Sequence, residues 1–118
     1  QYNSDMHELG ITQEMLKIAL DYAAKNNAVR ITQFNVAMSA LADESEDSLR
    51  FHFDHLTRGT IAEGARVEIT RVPAQARCLD FGNDFEWTPE TTACPNCSSA
   101  RIRALPQDEF KLTSIEVE

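Results

Sequence analysis

Two thiols separated by two residues can grip one tetrahedral ion, because the turn between them aims both sulfurs inward, and structural zinc commonly takes two such pairs. Here one pair is complete, Cys94-Pro95-Asn96-Cys97, and ahead of it, across fifteen intervening residues, stands a third thiol, Cys78. The slot that would complete a first pair holds Phe81, followed by Gly82, the residue a knuckle turn wants. This pattern predicts Zn(II) or another ion on Cys78, Cys94 and Cys97. The fourth ligand is then Asp80, Asp84, a water or a group from a second subunit. Two other readings stay open: a metal-free lobe with ordinary buried cysteines, and a redox dithiol at Cys94 and Cys97. The dithiol reading is weakened because no helical pattern starts there to lower a thiol pKa.

A second, separate signal opens the chain. In Met6-His7-Glu8, placed at a true N-terminus, the imidazole and successive deprotonated backbone nitrogens form a planar four-nitrogen set, which suits Ni(II) or Cu(II). A soft thiolate cluster and a distant imidazole site predict two metals with two jobs, one structural and one to be handed on. His52 and His55 have chelating i, i+3 spacing. They read instead as neighbours of an apolar helical stripe, His52 at its border and His55 on the solvent side. No phosphate loop, nucleophile elbow or H-E-x-x-H accompanies these groups, so the chain reads as a non-enzyme.

The elements that must position them are legible from periodicity. A helix is expected from Leu9 to about Asn26, with Ile11, Met15, Ile18 and Tyr22 as its apolar stripe, joined by Leu16, Leu20 and Ala23. Val29 to Met38 reads as a strand whose phase changes near Thr32-Gln33, the mark of a bulge or of burial on both faces. Ser45 is the N-cap of a second helix, with Glu46 and Asp47 in its first turn and Leu49, Phe53 and Leu56 as its buried stripe. Ala65 to Val72 alternates as a strand that Pro73 ends, and Phe110 to Val117 is a last strand. Between them, Arg77 to about Arg103 has little periodicity and holds all three cysteines; a metal is expected to supply its fixed point. The fold class is therefore α+β: two helices packed on a small three-stranded sheet, with a zinc-ribbon-like lobe inserted before the last strand. The α+β domain spans 6–73 plus 108–118 and the lobe 76–104, with 1–5 a flexible leader or a remnant of cloning.

Composition narrows the partners. The 118 residues fit one small domain with a lobe, and the formal net charge of -8 disfavours a nucleic-acid backbone. A cation, or a protein with a basic patch, suits that field better. No segment is apolar enough to span a membrane and no signal peptide is visible, so a cytoplasmic location is expected.

Taken together, these features resemble the HypA/HybF family of hydrogenase nickel-incorporation proteins, over nearly the whole chain from Met6 to Glu118. The resemblance is carried by Met6-His7-Glu8-Leu9 running into the helix and by the helix start Asp47-Ser48-Leu49-Arg50-Phe51. It continues through Arg58-Gly59-Thr60-Ile61-Ala62-Glu63-Gly64-Ala65, the cysteine lobe, and Phe110-Lys111-Leu112-Thr113-Ser114-Ile115-Glu116-Val117. It implies a metallochaperone that takes Ni(II) at Met6, His7 and Glu8 and holds structural Zn(II) through Cys78, Cys94 and Cys97. It further implies work with the GTPase HypB and the hydrogenase large subunit or its maturation complex, with urease served by some members. An acidic residue near the start of the second helix assists nickel in some members, and Glu46 and Asp47 occupy that region. The chain departs from the family pattern twice: Phe81 stands where the second zinc cysteine belongs, and Met6 is not residue 1. An incomplete ligand set also invites completion across a homodimer. Outside the resemblance, the competing functions are a zinc-ribbon-like interaction module, a drifted paralogue without nickel transfer, and a small thiol oxidoreductase using the C-x-x-C.

Overall fold

The computed structural model of the chain describes residues 4–43 and 45–118, with side chains of the first helix from Glu8 onward. Helix α1 (Ser4–Lys25) starts earlier than the apolar periodicity suggests, so residues 4 and 5 of the expected leader and the whole Met-His-Glu triplet lie within it. Ser4, Asp5 and Glu8 explain the extension. They carry no hydrophobic period, yet small polar and acidic residues suit the positive end of a helix. The buried line of α1 is also rotated from the expected stripe. Thr12, Met15, Leu16, Ala19 and Ala23 are buried, whereas Ile18 and Tyr22 are more than half exposed. Two alanines bring the helix close to its neighbours, and Thr12 satisfies its hydroxyl on the Glu8 carbonyl at 2.8 Å. Met15, Leu16 and Ala23 belong to the expected apolar set, whereas Thr12 and Ala19, polar or small, do not stand out in the sequence pattern beside Ile18 and Tyr22. Asn27, at φ 57°, turns the chain out of the helix in the left-handed conformation that asparagine tolerates.

Strand β1 (Ile31–Ser39) is the centre of the main sheet, paired parallel to β2 (Arg66–Val72) and antiparallel to β6 (Phe110–Val117). Its pairing with β6 slips between Ile31 and Gln33, where the residue phase changes, and again between Asn35 and Val36. Both bulges let Ile31, Phe34, Val36 and Met38 all be buried. The parallel β1–β2 connection requires a crossover, and α2 (Glu46–Leu56) supplies it. Ser45 caps α2 as expected, with its Oγ accepting the Ser48 N–H at 3.0 Å. Leu49 and Phe53 seat the helix on the sheet, the Phe53 ring lying 4.8 Å from that of Phe34. The sheet and the two helices thus enclose one core.

After Val72 and Pro73 the chain leaves this sheet. The lobe is more regular than its sequence suggests: β3 (Ala74–Cys78), β4 (Asp84–Trp87) and β5 (Ile102–Ala104) form a second antiparallel sheet in the order β4-β3-β5. It begins at Ala74, two residues ahead of the expected boundary. These strands have three to five residues each, too few for alternation to emerge. Their enclosed side chains are few: Ala76, Cys78, Phe85 and Cys94, flanked by Trp87, Cys97 and Ile102. The thiols are therefore part of the lobe's core.

Because Ser45 holds the first turn of α2, its loss should be felt there. Ser45→Ala is expected to lower stability by about 1 kcal/mol in urea unfolding, and Ser45→Gly by only a few tenths.

Candidate metal centre

The lobe is built from two turns with the same backbone wiring. In the first, Gly82 N–H donates to Cys78 O at 2.8 Å and Cys78 N–H donates to Asn83 O at 2.8 Å. In the second, Ser98 N–H donates to Cys94 O and Cys94 N–H to Ser99 O, again at 2.8 Å each. Gly82 and Ser98, both four residues after a cysteine, share a positive φ of 77° and 62°. Segments 78–83 and 94–99 are therefore equivalent knuckles, and Phe81 occupies in one the place of Cys97 in the other. Each knuckle aims its first cysteine inward, and Cys78 and Cys94 are fully buried.

The Sγ atoms of Cys78, Cys94 and Cys97 all lie within 4.8 Å of one another, and those of Cys78 and Cys97 are 3.6 Å apart. Two sulfurs on a tetrahedral zinc at about 2.3 Å stand roughly 3.8 Å apart, so the spacing fits such an ion. All three thiols are free. Burial works to raise the Cys94 thiol, but hydrogen bonds from the Asn83 side chain and from the backbone of Asn96 and Cys97 prevail and bring it down to about 7. At Cys97 the Ser99 backbone bond lowers the pKa, yet burial and the neighbouring thiols outweigh it and push it up to about 11. Three sulfurs this close cannot all ionise without a cation between them.

The two carboxylates considered as a fourth ligand are occupied. Asp80 accepts from Ser99 Oγ and from the Arg101 guanidinium. Asp84 accepts two hydrogen bonds from Arg77, at 2.7 and 3.2 Å, which hold its carboxyl below the ordinary range. Neither joins the thiol cluster among the described residues. Phe81 is 75% exposed, turned to solvent. Asn83 is the polar side chain beside the sulfurs, its Nδ2 3.6 Å from Cys94 Sγ. Its role was not foreseen; its position just after a Gly-containing knuckle was the available signal.

At the other end, the side chains of Met6 and His7 lie outside the described residues. Glu8 is described, and its carboxylate is fully buried. Its Oε1 accepts from Ser48 Oγ at 2.7 Å and from His52 Nε2 at 3.1 Å, while Oε2 is buried with no hydrogen-bond partner among the described residues. These contacts dock the first turns of α1 against the first turns of α2. There Asp47 is exposed, while Glu46 accepts from Arg71 at 3.3 Å and pairs with Arg50 at 3.7 Å. His52 thus serves Glu8, and His55 is exposed. The i, i+3 spacing concealed this division; only the packing of α1 on α2 reveals it.

A family model described as hydrogenase/urease nickel incorporation, metallochaperone, matches residues 6–117. The chain is 35% identical over 113 residues to the hydrogenase maturation factor HypA of Acidithiobacillus ferrooxidans, covering 96% of this chain and 100% of that protein. It is 36% identical to the HypA of Dehalococcoides mccartyi, covering 96% and 95%. With the HybF of Klebsiella pneumoniae it shares 34% identity, covering 96% and 100%. A solution structure of a HypA protein superimposes with a TM-score of 0.77 at 19% identity, over 96% of this chain and 97% of that one. The Ni metallochaperone HypA from Helicobacter pylori superimposes with a TM-score of 0.68 at 17% identity, over 93% and 96%. At those identities the two structures establish the fold.

Two outcomes follow from the geometry. Glu8→Ala strips a buried acceptor from Ser48 and His52 and is expected to cost about 2 kcal/mol in denaturant unfolding, with Glu8→Gln costing roughly half of that. In metal-free protein Cys97, pushed up to about 11, holds its proton, and zinc binding should displace it. Cys94, brought down to about 7, adds to the protons displaced as pH falls from 8 to 6. Affinity therefore falls as pH falls. Calorimetry in buffers of different ionisation enthalpy should read a larger total proton release at pH 6 than at pH 8.

Proposed function

This chain belongs to the HypA family of hydrogenase/urease nickel-incorporation metallochaperones, and we propose that it carries Ni(II) at its N-terminal Met6-His7-Glu8 for [NiFe]-hydrogenase maturation. As a maturation factor it is not an enzyme. The observation that carries the reading is the span of the family match, which opens at Met6 and runs through the cysteine lobe to Val117. The partners of the handover are the GTPase HypB and the hydrogenase large subunit or its maturation complex. Among the described residues no helix is long and apolar enough to cross a membrane, and the proposed setting is the cytoplasm.

Nickel here is cargo, so its ligands must hold it and let it go. The backbone N–H of Met6 lies in the first turn of α1, where no preceding helical carbonyl is available to accept it. Recruiting that nitrogen as a nickel ligand therefore sacrifices no helical hydrogen bond, and recruiting the His7 nitrogen sacrifices only one at the helix end. The His7 imidazole supplies the strong borderline ligand. Glu8 sits at the inner edge of this turn and, through Ser48 and His52, ties it to α2. The exposed carboxylate of Asp47, next to Ser48, brings negative charge to the same end of α2.

The lobe takes the structural role. Cys78, Cys94 and Cys97 would hold Zn(II), which when bound neutralises the thiolates and ties the two knuckles together. The chain's own contribution is to present three sulfurs from two preformed turns and to donate the Asn83 N–H to Cys94. The expected outcome is that His7→Ala abolishes nickel binding in calorimetry while the far-UV dichroism and the zinc content stay at their parent values. Nickel binding unchanged by His7→Ala would overturn the N-terminal site.

A further inference from the structure

The two knuckles share one backbone, and only one carries its second thiol. The hydrogen bonds Gly82 N–H to Cys78 O and Cys78 N–H to Asn83 O reproduce those of the 94–99 turn, with the same positive φ four residues in. Position 81 is therefore the corner from which a fourth ligand would reach the ion. The side chain there is a phenylalanine, 75% exposed, which offers no donor. The two nearby carboxylates are held by Arg101 and Arg77. No fourth His, Cys, Asp or Glu joins the cluster among the described residues. Cys97, the counterpart of position 81 in the second knuckle, is only partly buried, so the thiol cluster is not sealed from solvent.

Structural zinc sites are closed, whereas sites that bind exogenous ligands keep one position open. We propose that the cysteine lobe is an open three-thiolate metal site whose fourth coordination position, at the Phe81 corner, takes an exogenous monodentate soft ligand, a small thiol. This rests on the reading of the lobe as a metal site and sharpens it. The existing donors are soft sulfurs, and the corner is framed by a turn that elsewhere in the lobe presents a cysteine, so a thiol matches both its chemistry and its size. With an ion held by the three cysteines, the incoming thiol would displace solvent from the fourth position and give its proton to solvent, so the chain's three thiolates would be joined by a fourth. An open corner also gives a chelator a foothold, so the lobe's metal is exchangeable.

The test uses the full chain carrying His7→Ala, to silence the N-terminal site, with cobalt(II) as a spectroscopic stand-in for zinc. The reductant is a phosphine, so that no thiol is present at the start. The expected spectrum shows sulfur-to-cobalt charge transfer from three thiolates. Titration with 2-mercaptoethanol should raise that intensity by about one third, the ratio of four sulfurs to three in a tetrahedral site. With Phe81→Cys added, the four-sulfur intensity should be present from the outset and unaffected by thiol. Loss of cobalt to a chelator should then slow by roughly tenfold or more.

Cobalt bound with a spectrum that 2-mercaptoethanol does not change would overturn the open position. If Asn83→Ala then restored the response, the Asn83 amide would be the fourth ligand. A Phe81→Cys protein with the parent spectrum would overturn the placement of the corner. Failure of the His7→Ala chain to bind cobalt at all would instead remove the metal-lobe reading on which the inference stands.

Discussion

Strand β1 is hydrogen-bonded along both edges, to β2 in parallel and to β6 antiparallel, and that double pairing fixes where the start of α1 and the cysteine lobe lie. A parallel neighbour demands a crossover, so α2 must run over one face of the sheet, and its first turn must start near the end of β1. Helix α1 packs beside it, which brings Glu8 to Ser48 and His52. The departure of β2 and the return of β6 on opposite edges of β1 make the lobe an excursion. Its two ends are tied down at the end of β1. Ser39 N–H donates to Glu109 O at 2.8 Å, Ala40 N–H donates to Val72 O at 2.9 Å, and Ser39 Oγ donates to Gln107 Oε1 at 2.7 Å. Gln107 in turn donates to Pro73 O at 3.0 Å. The lobe is thereby anchored without sharing the main core.

The separation matters because the two ends face opposite demands. Thiolates bind zinc tightly, and burial within a small core strengthens their hold by removing competing water. Cargo needs ligands near solvent on an element that yields cheaply, and the first turn of a helix is such an element. On the proposed reading, an imidazole placed in the lobe would make nickel and zinc compete for one donor set. Separate positions on a sheet-bound scaffold would let each site follow its own chemistry.

Much of this was legible from residue order. The Ser45 cap, the Leu49 and Phe53 stripe, the bulge near Thr32-Gln33, the end of β2 at Pro73 and the last strand all appear where local signals put them, because each is decided by neighbours within a few residues. The buried line of α1 was read only in part, since its depth is set by the sheet and α2, which favour Ala19 and Thr12 over Ile18 and Tyr22. The lobe's sheet was missed because strands of three to five residues carry no readable period. Of the candidate sites, the three thiols were visible as a set. The burial of Glu8 was not, because its partners lie forty residues away in sequence, across a contact between helices.

Phe81 shows how a ligand can be lost without losing its turn. The first knuckle is held by two backbone hydrogen bonds and by Gly82 at φ 77°, none of which involves the side chain at position 81. Those bonds are independent of the side chain at position 81, so a phenylalanine there costs the turn little. What it alters is the donor set. The sulfurs come from both knuckles, Cys78 from the first and Cys94 with Cys97 from the second, so an ion held by them would bridge the two. Such an ion would take three thiolates from the chain, and the side chain at position 81 would add none.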